Sequence, residues 1–424
     1  MQDEIVQQLV TTLRVEVQEA ELERVRRIPT TNLTAYDSYL RGQEHLQRIK
    51  KEEVPQARQL FEQAIALDPS YALAYVALAG TYWEESHWSP DPQYLERAMA
   101  LAQQALALDD SLALAHSRLS LVFARRTQFE QAIAEGERAV VLDPNNASSA
   151  AHLGEVLIFD GRPTEAIGWL EKAIRLNPGY PFWFPLQLGI AYRLTGRYAE
   201  AIAAQKQALL RYPNEAPYAE LANNYAAQWA FQLSRDPQML EQALAAAQRA
   251  VALNDSFWIT HLALGIVYLG QQQYGQAAAE MERAVALYPT QVVSYAFLAY
   301  VLSCEGRADE ALRVVEQALR LKSNDADFHL FPIGAVYTFA GRYEEAQASL
   351  QQFLTRYPEF LGAHLILAAV YSEVGKEAEA QAEAAEVLRL NPKFSLEVHK
   401  ERMPIKDPAV LERHLAALRK AGLK

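Results

Sequence analysis

The side chains able to do chemistry are dispersed along this chain. Nine histidines stand at 45, 87, 116, 152, 261, 329, 364, 399 and 414, and no HExxH pair is among them. No GxSxG elbow occurs, and no glycine-rich phosphate loop follows a strand-like run. Cys304 is the only cysteine, which excludes an internal disulfide and a thiolate metal cluster. Acidic stretches such as YEEAQ at 343–347 read as solvated helix faces. Hydrolysis, group transfer or redox chemistry needs an acid, base, nucleophile or metal set converging on one place. The reading is therefore of a chain that is not an enzyme and takes no metal or cofactor.

Three of the histidines point instead to the elements that hold them. His116, His261 and His364 fall at one place in a recurring phrase where Tyr75, Tyr218 and Tyr295 stand in other copies, so they replace a packing aromatic. The phrase LGIAYRLTGRYAEAIAAQKQALLRYP at 188–213 returns as LGIVYLGQQQYGQAAAEMERAVALYP at 264–289. Its end recurs at Pro69, Asp110, Pro144, Pro178, Pro213, Asp255, Pro289, Ser323, Pro358 and Pro392, at steps of 34 or 35 residues apart from two of 41 and 42. A period near 34 marks a helical repeat, and in such an array length counts units and not domains.

Each unit reads as two helices. Between Ala147 and Pro178, Leu153, Gly154 and Leu157 mark the first, DGRP at 160–163 breaks it, and Ala166, Leu170 and Ala173 mark the second. Gly154 and Ala166 leave room for the two helices to approach, and Ala173 for the next unit. A larger side chain there overpacks the contact by about 1–3 kcal/mol. Gly161, Gly196, Gly306 and Gly341 suit the left-handed turn that ends a helix. These residues at these offsets resemble the tetratricopeptide repeat family over residues 34–392, in about ten units. The resemblance implies an all-α fold, a right-handed superhelical solenoid of about ten helix pairs with N- and C-terminal capping helices.

Two units are long, after Tyr82 and after Tyr225, and both insert a DPQ turn that reads as part of a lengthened first helix with a local apolar cluster. Residues 1–33 precede the array and carry an apolar stripe of Ile5, Leu9, Leu13 and Val17 with Val6 and Val10. That amphipathic helix either caps the first repeat or ends an upstream domain. QDEIVQQLVTTL followed by PTTNLTAYDSYLRG is similar to the junction in multidomain bacterial proteins that join a class III adenylate cyclase domain and a TolB-like domain to a tetratricopeptide tail. Residues 393–424 close the chain with eight Lys or Arg against four Asp or Glu, and DPAVLERHLAALRKAGL reads as a C-terminal capping helix.

The formal charge of −12 argues against a nucleic-acid partner. No apolar run reaches the roughly 18 residues of a membrane span, so the expected place is the cytoplasm. What is left for function is a surface. The resemblance implies that first helices line a concave groove that binds a peptide or protein segment. The inward positions hold Trp83, Arg118, Arg125, Phe159, Trp183, Arg193, Asn223, Trp229, Tyr300 and Phe339, aromatic and arginine types enriched at binding hot spots. The lysine and asparagine set with which some members clamp a terminal carboxylate has no counterpart, since Val76, Gly80, Ser117 and Leu121 occupy those places. The expectation is a binding scaffold whose Arg118, Arg125 and Arg193 meet acidic groups of the ligand. The alternatives are a regulatory tail of a cyclase-like protein and a self-association module forming a homodimer.

Overall fold

The computed structural model describes residues 30–47, 51–87, 89, 91–234, 236–321 and 327–424. The stripe from Ile5 to Val17 lies outside them. The described residues form 22 α-helices, one short 3-10 turn and no strand. They gather into two compact units, one of residues up to Ser86 with Pro92–Arg118, the other of Leu119–Lys424 with His87–Asp91.

In the first unit α1 (Leu33–Gln47) pairs with α2 (Val54–Leu67), and α3 (Ala72–Glu85) pairs with α4 (Gln93–Leu108). Asn32 starts α1 by accepting from the backbone N–H of Thr34 and Ala35, both at 3.1 Å. Gly42 lets the Phe61 ring lie against α1, since a Cβ there would stand 2.5 Å from Phe61 Cε1. The extra residues of the first long unit follow α3, which ends at Glu85, and separate it from α4. The first helix is not lengthened.

Helix α5 (Ala113–Arg125) carries the chain onward, followed by α6 (Phe129–Leu142). The second unit then pairs α7 (Ala147–Phe159) with α8 (Pro163–Leu176), α9 (Trp183–Leu194) with α10 (Tyr198–Arg211), and α11 (Glu215–Ala230) with α12 (Met239–Leu253). The pairs α13 (Trp258–Gly270) and α14 (Tyr274–Leu287), α15 (Val292–Glu305) and α16 (Ala308–Arg320), α17 (Leu330–Phe339) and α18 (Tyr343–Arg356), and α19 (Leu361–Glu373) and α20 (Glu377–Leu390) continue it. Two single helices, α21 (Leu396–Arg402) and α22 (Pro408–Lys420), end it.

Small residues set the pairing distance. A Cβ on Gly154 would lie 2.7 Å from Leu170 Cγ, on Gly265 2.8 Å from Met281 Cε, and on Gly334 2.7 Å from Leu350 Cγ. The turns between paired helices need a left-handed residue, and Gly161, Gly196, Gly306 and Gly341 supply it at φ of 72° to 95°. Thr127, Gln232 and Gln272 take the same conformation at φ of 58° to 60° without being glycine. Second helices end in a turn closed by an acidic or amide side chain: Asp68, Asp109, Asn177, Asn254 and Asn391 each accept from the backbone N–H two residues on, at 2.9–3.1 Å.

The histidines that share a position with tyrosine do more than pack. Tyr75 Oη donates to the carbonyl of Pro69, six residues earlier, at 3.2 Å. His261 Nε2 meets the matching carbonyl of Asp255 at 2.7 Å, and His364 Nε2 that of Pro358 at 2.8 Å. His261 Nδ1 lies 2.6 Å from Glu280 Oε2, and His364 Nδ1 lies 2.5 Å from Glu383 Oε2. A carbonyl and a carboxylate only accept, so both ring nitrogens of His364 donate, and its imidazolium ties a loop to two helices. Burial disfavours that charge at His364, but the bonds to Glu383 and the Pro358 carbonyl, with the charges of Glu383 and Glu386, outweigh it and raise its pKa. A raised folded pKa contributes stability in full below the ordinary histidine value, and that stability is lost as pH rises through the raised value. From pH 6 to pH 9 the denaturant midpoint of the native chain is expected to fall relative to that of His364→Tyr, which keeps the donor to the carbonyl and cannot titrate there.

Candidate protein-binding face

First helices of the second unit are apolar almost all round. From Leu361 to Ser372 every residue of α19 is buried, and in α17 only Phe331 is not. A helix buried on every side has its inner face covered too. In the second unit the chain covers it itself. The residues after α11, an insertion that makes its repeat long, dock on the last repeats: Phe231 meets Phe360 edge-on with centroids 5.6 Å apart. Gln232 Nε2 donates to the Ser395 carbonyl at 2.9 Å, and the Ser395 N–H returns a bond to Gln232 Oε1 at 3.0 Å. Asn391 Nδ2 donates to the Phe231 carbonyl at 3.0 Å. Arg356 adds an ion pair to Asp327 at 2.9 Å and a bond to the Asp160 carbonyl, with its side chain against Gly161.

This closure sorts the expected groove residues. Phe339 is buried, stacked on Tyr300 at 6.2 Å and met edge-on by His414 at 6.0 Å, while its carbonyl accepts from Arg413 Nη2 at 2.8 Å. The Trp229 ring lies under the Arg402 guanidinium at 5.3 Å, and its carbonyl also accepts from Arg402. Phe339 and Trp229 thus lie against the chain's own C-terminal segment, and Tyr300 against Phe339. In the first unit Trp83 is buried within α3.

The arginines meet carboxylates of this same chain. Arg193 Nε is 3.2 Å from Glu220 Oε2, both side chains about seven-eighths buried, and its guanidinium lies 5.5 Å over the Phe328 ring. Burial lowers the pKa of Arg125, and Tyr288 and Glu155 favour its charge. Arg118 Nη2 would be 3.2 Å from a Cβ on Gly80, and its charge counters the burial that raises the Glu84 carboxyl. A buried charge is tolerated only with a partner, so Glu84, Glu155 and Glu220 on first helices were the sequence signal for these pairs.

Residues on α7, α9 and α11 remain partly open. Trp183 is half-buried, stacked on His152 at 5.0 Å with 14° between planes, and set edge-on to Phe184 at 4.4 Å. Phe159 is half-buried at the end of α7. Asn223 is half-buried one turn beyond Glu220, on the same side of α11, and its Oδ1 has no hydrogen-bond partner. Among the described residues no three of His, Cys, Asp or Glu come within reach of one metal ion, and no helix is long and apolar enough to cross a membrane.

A tetratricopeptide repeat family model matches residues 118–181, 240–292 and 333–393, and a second model of that repeat matches 186–215. The chain carries tetratricopeptide repeats. No curated protein matches this sequence. Among solved structures, a monomeric mutant of IFIT1 with m7Gppp-AAAA is similar at 17% identity, covering 88% of this chain and 96% of that one, with a TM-score of 0.50. The Cut9–Hcn1 assembly of the APC/C is similar at 18% identity, 94% and 78% coverage and a TM-score of 0.47. TTC0263, a thermophilic TPR protein of Thermus thermophilus, is 26% identical over 45% of this chain and 98% of its own, with a TM-score of 0.41. The family models begin at residue 118, and no comparison shows the expected likeness of the N-terminal segment to a cyclase junction.

Proposed function

We propose that this tetratricopeptide array is a protein-binding scaffold that takes an extended segment along α7, α9 and α11. The observation that carries the reading is Asn223, whose Oδ1 is unpartnered one turn from the Arg193–Glu220 pair. An extended peptide presents backbone N–H groups, and a side-chain amide is suited to receive one. Trp183 offers a rigid aromatic surface ten residues before Arg193 on the same helix, about 15 Å along its axis. That distance is spanned by four or five extended residues, at about 3.3 Å each. Because Arg193 already faces Glu220, recognition rests on backbone hydrogen bonds and apolar contact more than on acidic side chains of the ligand.

The test is capture from the source extract with the purified chain, followed by titration of the purified partner against Trp183→Ala and Asn223→Ala. Each substitution is expected to weaken binding at least about tenfold, or roughly 1.4 kcal/mol. Melting should be unchanged for Asn223→Ala. A partner bound equally well by both variants would remove this face from consideration.

A further inference from the structure

Helix α1 has two unlike faces. Ala35, Ser38 and Gly42 turn into the first unit, while Leu33, Tyr36 and Leu40 lie on the opposite side, 81%, 38% and 47% exposed. Steps of three and four residues make them one stripe. Elsewhere among the described residues no helix carries more than one large exposed apolar side chain, as with Leu67, Leu108 and Leu210. In a stack of helix pairs each first helix is covered by the second helix of the pair before it, and a terminal face needs a cap. The opposite end of the chain has one: α22 lies on α19 and buries Leu415 and Leu418.

We propose that residues 1–29 are the missing cover, docking the stripe of Ile5, Leu9, Leu13 and Val17 on Leu33, Tyr36 and Leu40. The segment runs directly into Thr30, and residues 18–32 join its stripe to α1. Fifteen residues of chain, at up to about 3.3 Å each, can reach any part of that face. The segment carries Arg24, Arg26 and Arg27, complementary in sign to Glu44 and Asp37, which flank the exposed stripe, Asp37 at 3.9 Å from Arg41. A tethered segment also acts at an effective concentration of roughly millimolar, far above that of a second copy in dilute solution.

A cysteine in place of Leu40 reads the cover directly, because Cys304 is fully buried and stays silent to a maleimide. In the full chain carrying Leu40→Cys, adding Leu9→Asp and Leu13→Asp is expected to raise the labelling rate at least about tenfold. Amide exchange of residues 1–29 should speed by a similar factor. Exchange in α2 should stay constant, which separates loss of the cover from unfolding of the first unit. Equal labelling with and without the aspartates would overturn the proposal. So would protection of Leu40→Cys that grows with protein concentration, which would make a second copy the occupant.

Discussion

Replacing Phe360 by alanine lowers the stability of the second unit by about 3–5 kcal/mol, the cost of emptying a buried aromatic site. The Phe360 ring is 7% exposed and meets Phe331 at 4.8 Å, Phe353 at 5.1 Å, Phe231 at 5.6 Å and Phe328 at 6.4 Å, three of the four edge-on and the fourth, with Phe331, at 62°. Edge-to-face pairs add about 0.5–1.5 kcal/mol each beyond the area they bury. Phe231 comes from the insertion after α11, so the cavity would open where that insertion meets α19. Neighbouring repeats normally share stability one contact at a time, and this contact links repeats that are not neighbours. The substitution should therefore speed amide exchange in α19 and also in residues 228–233. Hydrogen exchange read by mass spectrometry checks both places, and unchanged protection at 228–233 would show that the closure does not depend on this ring.

Acid should weaken the C-terminal end through a buried histidine pair. His399 and His414 approach at 3.4 Å between Nε2 atoms, an arrangement in which one ring donates and the other, necessarily neutral, accepts. Burial pushes His399 down to about 4. Burial, then the charges of His399 and Arg413, push His414 down to about 3. The unfolded chain then binds more protons than the folded one below the ordinary histidine pKa. Stability present at neutral pH is lost as pH falls from about 6.5 toward these values. At pH 5 the loss is about 2 kcal/mol for each histidine, since both folded values lie below that pH and each pH unit is worth about 1.4 kcal/mol. Phe394 packs on His399 and Phe339 on His414, so a double change to leucine keeps apolar filling. His399→Leu with His414→Leu should lose about 4 kcal/mol less than the native chain between pH 7 and pH 5. Equal losses in urea titrations at the two pH values would count against the pair as the acid-sensitive element. The direction is opposite to that at His364, whose raised pKa weakens the fold on the alkaline side.

The two kinds of histidine show what could be read early. Interchange of His364 with tyrosine at one repeat position was visible, but a shared ring reads as shared packing. Only the placement of the Pro358 carbonyl revealed that the position wants a donor. His399 and His414 have no such counterpart and meet through the angle at which α22 crosses α21. The same holds for the groove. Trp183 and Asn223 remain partly open, whereas Phe339 and Trp229 stand at equivalent inward positions and meet the C-terminal segment. A periodic pattern gives equivalent residues equivalent directions, and it carries no information about which turn of the array is covered by another.

By itself the sequence determined the repeat, its helix pairs and its turns, because these follow from contacts within about 34 residues: Gly154 against Leu170, Gly161 at positive φ, an amide or acid closing five of the second helices. Tertiary structure decided the rest. Phe231 and Phe360 are 129 positions apart, and Asp160 and Arg356 are 196 apart. Whether such residues touch depends on small rotations accumulated from repeat to repeat, each too slight to leave a mark in the local pattern and large in sum.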